Sequence, residues 1–172
     1  MGVSGSGKTS VAHALVDRLG WDFLEGDDAH PAANVEKMRA GTPLTDDDRW
    51  GWLRTIAHWV GTHHEEGRRT VVACSALRRA YRDVLRTGDE EAVAATAFVH
   101  LHGDRDLLLS RISGRKGHFM PATLLDSQLD TLEPLGGDER GVVIDVDDPP
   151  DVLAERVVEA LGLRPGPPGL DG

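Results

Sequence analysis

Gly2, Gly7, Lys8 and Thr9 stand at the spacing G-x-x-x-x-G-K-[ST], with Ser4, Gly5 and Ser6 inside the loop and Ser10 just after it. Glycines in this pattern let consecutive backbone N–H groups close around phosphate oxygens. The Lys8 ammonium reaches terminal phosphates, and the Thr9 hydroxyl can ligate Mg²⁺. The apolar-periodic run Val11, Ala12, Leu15, Val16 and Leu19 follows at once and makes Thr9 the start of a helix. The chemistry indicated is binding of ATP with Mg²⁺ and transfer of its phosphoryl group.

Three further groups could serve that chemistry. Glu25, Asp27, Asp28 and His30 follow a short apolar segment. A carboxylate beside a magnesium nucleotide can accept a substrate hydroxyl proton or hold the metal through water. Ser75, Arg78, Arg79 and Arg82 gather where another apolar run gives way to a helix. Arginine there suits an anionic ligand, which it pairs through two parallel bonds, whereas Arg82 and Arg86 read as solvated helix charge. Arg111, Arg115, Lys116 and His118 cluster around Gly114 and Gly117, the composition of a lid closing over phosphates. Sixteen arginines against three lysines single out Lys8, Lys37 and Lys116 as positions where a compact ammonium is wanted. His58, His63 and His64 read as helix surface rather than a metal site, the tryptophans as core or surface, and Cys74 as a small buried hydrophobe.

The elements that must position these residues alternate. Strands are expected at 21–25, 70–74, 98–101 and 142–146, the last three as continuous apolar runs buried on both faces. Helices are expected over about 31–39, 46–66, 79–86, 105–113, 121–132 and 151–161. Thr45 caps the second of them ahead of three aspartates that favour the helix dipole. Such alternation predicts an α/β fold with a parallel sheet, helices on both faces and ligands at the carboxyl ends of the strands. At 172 residues the chain is expected to form one domain over 1–163, with a lid around 111–120 and a frayed tail over 164–172. A net charge of -10 disfavours nucleic acid. A lone cysteine and no long apolar run predict a cytoplasmic protein without a membrane span.

Beyond these separate signals, long stretches resemble the gluconate kinases, small P-loop kinases related to shikimate and nucleoside monophosphate kinases. The resemblance is carried by residues 1–8, 26–38, 41–53, 74–78, Tyr81-Arg82, 115–119, Ser127-Gln128 and Leu132-Glu133-Pro134. It implies transfer of the ATP γ-phosphate to the 6-hydroxyl of D-gluconate with Mg²⁺, and a homodimer by family analogy. Lys8, Asp27 and Arg115 are then catalytic, Asp27 acting on the acceptor hydroxyl. Residues 2 and 4–10, with Arg111, Arg115 and Lys116, hold the nucleotide. Asp27, His30, Lys37, Arg49, Ser75, Arg78 and His118 meet the acceptor, while Thr9 and Glu25 stand near the metal. Residue chemistry alone stops at a small-molecule kinase. A shikimate-like or nucleotide acceptor, or an inactive nucleotide-binding remnant, are the alternatives.

One departure stands out. The family has an apolar strand ahead of the loop, central in the sheet between the strands at Val71 and Phe98, and here the sequence begins at Met1. The fold is therefore expected to lack its first strand, with an internal methionine taken as the start of a longer native chain.

Overall fold

The computed structural model describes residues 1–86, 88, 90–114 and 122–166. Helix α1 (Lys8–Leu19) follows the glycine loop. Strand β1 (Asp22–Glu25) leads into a 3-10 turn over Gly26–Ala29 and then α2 (Ala32–Arg39) and α3 (Asp46–Glu65). Strand β2 (Thr70–Ala73) is followed by α4 (Arg79–Leu85) and α5 (Glu90–Ala95), and β3 (Phe98–His102) by α6 (Arg105–Ser113) and α7 (Ala122–Thr131). Strand β4 (Gly141–Asp145) and α8 (Pro150–Leu161) complete the order. The three-residue acidic turn at 46–48 starts α3 as expected. Thr45 Oγ1 accepts from the Asp48 amide, and Asp48 Oδ2 accepts from the Thr45 amide at 2.9 Å, a reciprocal capping box. Helix α5 has no sequence signal, because none of its side chains is buried and no apolar periodicity marks it.

Both strand pairs are parallel. β1 pairs with β2 from Asp22 opposite Thr70 to Glu25 opposite Ala73, and β3 pairs with β4 from Phe98 opposite Gly141 to His102 opposite Asp145. What joins the pairs is the start of the chain. The Met1 amino group donates to the Val99 carbonyl, the Leu101 amide donates to the Met1 carbonyl at 3.0 Å, and the Gly2 amide donates to the Ser75 carbonyl at 3.1 Å. Met1 thus sits as a single parallel-ladder residue opposite His100. The order across the fold is β1, β2, Met1–Gly2, β3, β4. Before Met1 the space between β2 and β3 is a slot of about 520 Å³, lined by Leu15, Trp21, Val71, Phe98, Val99 and Val157 among others. Among the described residues no strand runs through this slot, and Met1–Gly2 alone bridge the two pairs.

That slot corrects one expectation. Val71 and Val72 line the slot and are only half-buried. In β4, Val143 is 53% exposed, as befits an outer strand with one face uncovered. The core lies instead between α1, α8 and the β3–β4 pair, through Leu15, Leu101, Ile144, Leu153 and Val157, and between α3, α4 and β2, through Trp52, Leu53, Ile56 and Tyr81.

Two further readings change. Arg82 is fully buried rather than solvated. Its guanidinium meets Glu139 at 2.6 and 2.9 Å and donates to the Glu133 and Pro134 carbonyls, so every donor that burial takes from water finds an acceptor. The tail does not fray from residue 164. The Gly166 amide takes the Leu19 carbonyl left open at the end of α1, at 2.8 Å, and Trp21 Nε1 donates to the Arg164 carbonyl. Residues 167–172 lie outside the described residues.

Burial, with help from the Lys8 charge, pushes the Met1 amino group from 8.0 down to about 5. Burial likewise pushes His100 to about 4 and lowers His30. The unfolded chain holds these protons at higher pH than the folded chain does, so stability grows as pH rises through the interval between the two values. The urea midpoint is expected to climb from pH 5 to pH 8, and a flat profile would show that the Met1 amine is solvated.

Candidate functional site

The phosphate loop occupies the turn between Met1 and α1. Gly5 and Gly7 adopt φ of 81° and 86°, the left-handed region that side chains avoid. A Cβ on Gly5 would also lie 2.8 Å from the Leu108 carbonyl, so α6 packs directly on the loop. Gly7 is the N-cap of α1 and supplies no side-chain acceptor, leaving the first-turn N–H groups turned toward an anion. Lys8 Nζ curls over the loop to the Val3 carbonyl at 3.1 Å. The loop is braced from outside by Gln128 of α7, whose Oε1 accepts from the Ser4 amide at 2.7 Å. Ser6 is buried, and its hydroxyl lacks a hydrogen-bond partner among the described residues.

Beside the loop a second cavity of about 390 Å³ is lined by Gly5, Gly7, Ser10, Arg111, Asp148 and Pro150, with others. Arg111 is fixed there by donation to the Val146 carbonyl at 2.5 Å. Gly5, Ser6, Gly7, Ser10 and Arg111 therefore line one cavity, while Lys8 reaches the Val3 carbonyl and Thr9 turns to Glu25. Arg115, Lys116 and His118 lie outside the described residues.

Thr9 and Glu25 come together across the end of β1, with Thr9 Oγ1 donating to Glu25 Oε2 at 2.7 Å. Both are hard oxygen donors, the chemistry Mg²⁺ prefers when it keeps most of its waters and phosphate ligands. No group of three or more His, Cys, Asp or Glu side chains suited to a metal occurs among the described residues. The donor set thus fits an ion shared with a nucleotide rather than a closed protein cage.

Asp27 follows directly. Gly26 is required before it, since a Cβ there would stand 2.6 Å from the Ala73 carbonyl. Trp52 of α3 donates from Nε1 to the Gly26 carbonyl at 2.6 Å and stacks on His30 at 4.1 Å. The His30 imidazole is held below its ordinary value by burial, against the raising effect of Asp27 and with the lowering effect of Arg49. Cys74, pushed up to about 11 chiefly by burial, feels Asp27 and Lys8 in opposite senses. The Asp27 carboxylate and the Lys8 ammonium therefore both lie close enough to Cys74, just after β2, to act on it.

The far wall is positive. After β2 the chain turns through Ala76, at φ 43° a strained conformation for a residue with a Cβ, while the Ser75 carbonyl is taken by Gly2. This turn delivers Arg78. Arg78 and Arg49 both lie over the Tyr81 ring, at 5.9 and 5.7 Å, and both face Asp46. Lys37 is placed differently. It pairs with Asp48 at 2.6 Å, contributing to the fall of that carboxyl to about 2, and so ties α2 to the start of α3. Sequence reasoning gave no role to Trp52, Asp46 or Gln128. Trp52 and Gln128 lie in segments that carry the resemblance, and Asp46 reads as a charge suited to the helix dipole.

A family described as an AAA domain matches residues 1–135. The gluconokinase of Gluconobacter oxydans is 49% identical over 158 residues, 92% of this chain and 86% of that protein. The crystal structure of a gluconokinase from Sinorhizobium meliloti superposes with a TM-score of 0.82 at 45% identity, covering 94% of this chain and 89% of that one. An unliganded sugar kinase from Janibacter superposes with a TM-score of 0.87 at 48% identity, covering 96% and 93%. No described helix is long and apolar enough to cross a membrane.

Proposed function

Because the chain belongs to the gluconokinase family, a P-loop kinase group, we propose that it phosphorylates D-gluconate at the 6-hydroxyl; Thr9 and Glu25 would hold Mg²⁺, which would offset phosphate charge. ATP, when bound, supplies the γ-phosphoryl group. Asp27 takes the proton of the acceptor hydroxyl as its oxygen bonds to phosphorus and the bond to the leaving oxygen breaks. Lys8 and the first-turn amides of α1 face the phosphates and offset the charge that develops there. Arg49 and Arg78 face the sugar-acid carboxylate, and His30, stacked on Trp52, shapes the wall between the two ends.

The observation that carries this reading is the pairing of opposite functions across one short space. The Asp27 carboxylate and the Arg49 guanidinium act on His30 in opposite senses, and Arg49 shares the Tyr81 ring and Asp46 with Arg78, which supports a negative group at one end and a positive pair at the other. Gluconate is a polyol with one carboxylate at the end remote from its 6-hydroxyl. ADP release from ATP and Mg²⁺ is expected with D-gluconate and absent with shikimate or a nucleoside monophosphate. Release with either of those instead would reassign the acceptor, and release with none would favour a nucleotide-binding remnant.

A further inference from the structure

Arg49, Arg78 and Tyr81 form a receptor for one carboxylate, and a carboxylate of this chain already occupies it. Asp46 Oδ1 accepts from the Tyr81 hydroxyl at 2.6 Å, and Oδ2 accepts from Arg78 Nη1 at 2.8 Å. Arg49 Nη1 stands 3.7 Å from Oδ1, an ion-pair distance too long for a hydrogen bond. These contacts are looser than arginine and carboxylate can make. In the same protein Arg105 grips Asp126 through Nε and Nη2, and Arg79 grips Asp138 through both terminal nitrogens. Two guanidinium groups share one carboxylate here, leaving a net charge of about +1.

The cap of α3 is made by Thr45 and Asp48, and Asp47 and Asp48 also bring negative charge to the first turn. The buried Tyr81 ring lies under both arginines and supports them beside Asp46. The Asp46 side chain is 42% exposed on the first turn of its helix, where a carboxylate turned toward solvent is still favoured by the dipole.

We propose that Asp46 determines acceptor specificity as an internal stand-in for the substrate carboxylate, which displaces it from Arg49, Arg78 and Tyr81. This rests on the gluconate reading. Exchange of one carboxylate for another keeps both arginines paired. A neutral polyol must separate Asp46 from them and offers no charge in return, so it is rejected.

The test is the steady-state response of Asp46→Ala and Asp46→Asn, with Asp47→Ala as the control for helix charge. Removing the competitor is expected to lower KM for gluconate about 3- to 10-fold in Asp46→Ala. Asp46→Asn should move in the same direction, Asp47→Ala should not move, and the change should fall on KM rather than kcat. A KM that stays or rises in Asp46→Ala overturns the proposal and makes Asp46 a prop for the arginines. Should gluconate not be turned over by any of these proteins, equilibrium binding still decides. Trp50 meets the Tyr81 ring edge-on at 5.5 Å and reports on the receptor by fluorescence. Tighter gluconate binding by Asp46→Ala than by the parent chain supports the displacement, and equal or weaker binding overturns it. The failure of turnover falls on the acceptor assignment alone.

Discussion

A chain carrying about five apolar, β-branched residues ahead of Met1 is expected to melt about 6 to 20 °C above the 172-residue chain, and a polar extension of equal length is not. The slot between β2 and β3 prescribes this occupant. Met1 already makes one step of a parallel ladder with Val99 and Leu101, so residues placed before it pass Phe98 on one side and Val71 to Ala73 on the other. Burying five such side chains contributes roughly 8 to 15 kcal/mol at about 1.5 to 3 each. Fixing five backbones removes roughly 5 to 10 kcal/mol of that at about 1 to 2 each. A net gain of about 3 to 5 kcal/mol raises the midpoint of a domain this size by about 2 to 4 °C per kcal/mol. The extension also replaces the buried amino group of Met1 with an amide, so the rise of stability between pH 5 and 8 should flatten. Calorimetry gives the midpoint, and hydrogen exchange at Val72 and Phe98 gives the location. Equal midpoints for the apolar and polar extensions would show that the slot does not accept a strand.

The slot lies where the resemblance to the gluconate kinases implies a strand, between the apolar runs at Val71 and Phe98. Helices could be read where one strong local cause acts. Thr45 and Asp48 fix the start of α3, and Leu153, Ala154 and Val157 fix the buried face of α8. The phosphate loop was legible because its chemistry is carried by contiguous backbone, and its residues do converge. The acceptor side depends on contacts between residues far apart in sequence, and there local reading fails in both directions. Arg82 resembles any helix-surface arginine until Glu139, 57 positions later, is seen to bury it. Lys37 reads as a contact for substrate, and the fold gives its ammonium a partner in Asp48 at the start of α3. Asp46 looks like helix-dipole charge and stands between two arginines, one of them from the turn after β2. Charge in a sequence announces that a partner exists, while the fold decides which one.

Asp27→Asn is expected to lower kcat by about 10²- to 10⁴-fold, with KM for ATP changed by less than about twofold. The replacement is isosteric and keeps an acceptor for the substrate hydroxyl, so orientation survives while the capacity to take its proton is lost. Asp27 is well suited to expose that difference because its backbone is pinned. The Gly26 Cα lies against the Ala73 carbonyl, and Trp52 holds the Gly26 carbonyl from the other side. Neither contact involves the Asp27 side chain, so the fold and the nucleotide end should be preserved. The metal pair, Thr9 with Glu25, is likewise independent of it. Phosphoryl transfer through a loose transition state asks less of a base than of positioning. A loss below tenfold would therefore assign Asp27 to orientation, leaving Lys8 and the arginines with the chemistry. A loss in the expected range, measured in single turnover so that product release does not mask it, would place proton removal from the acceptor hydroxyl at this carboxylate.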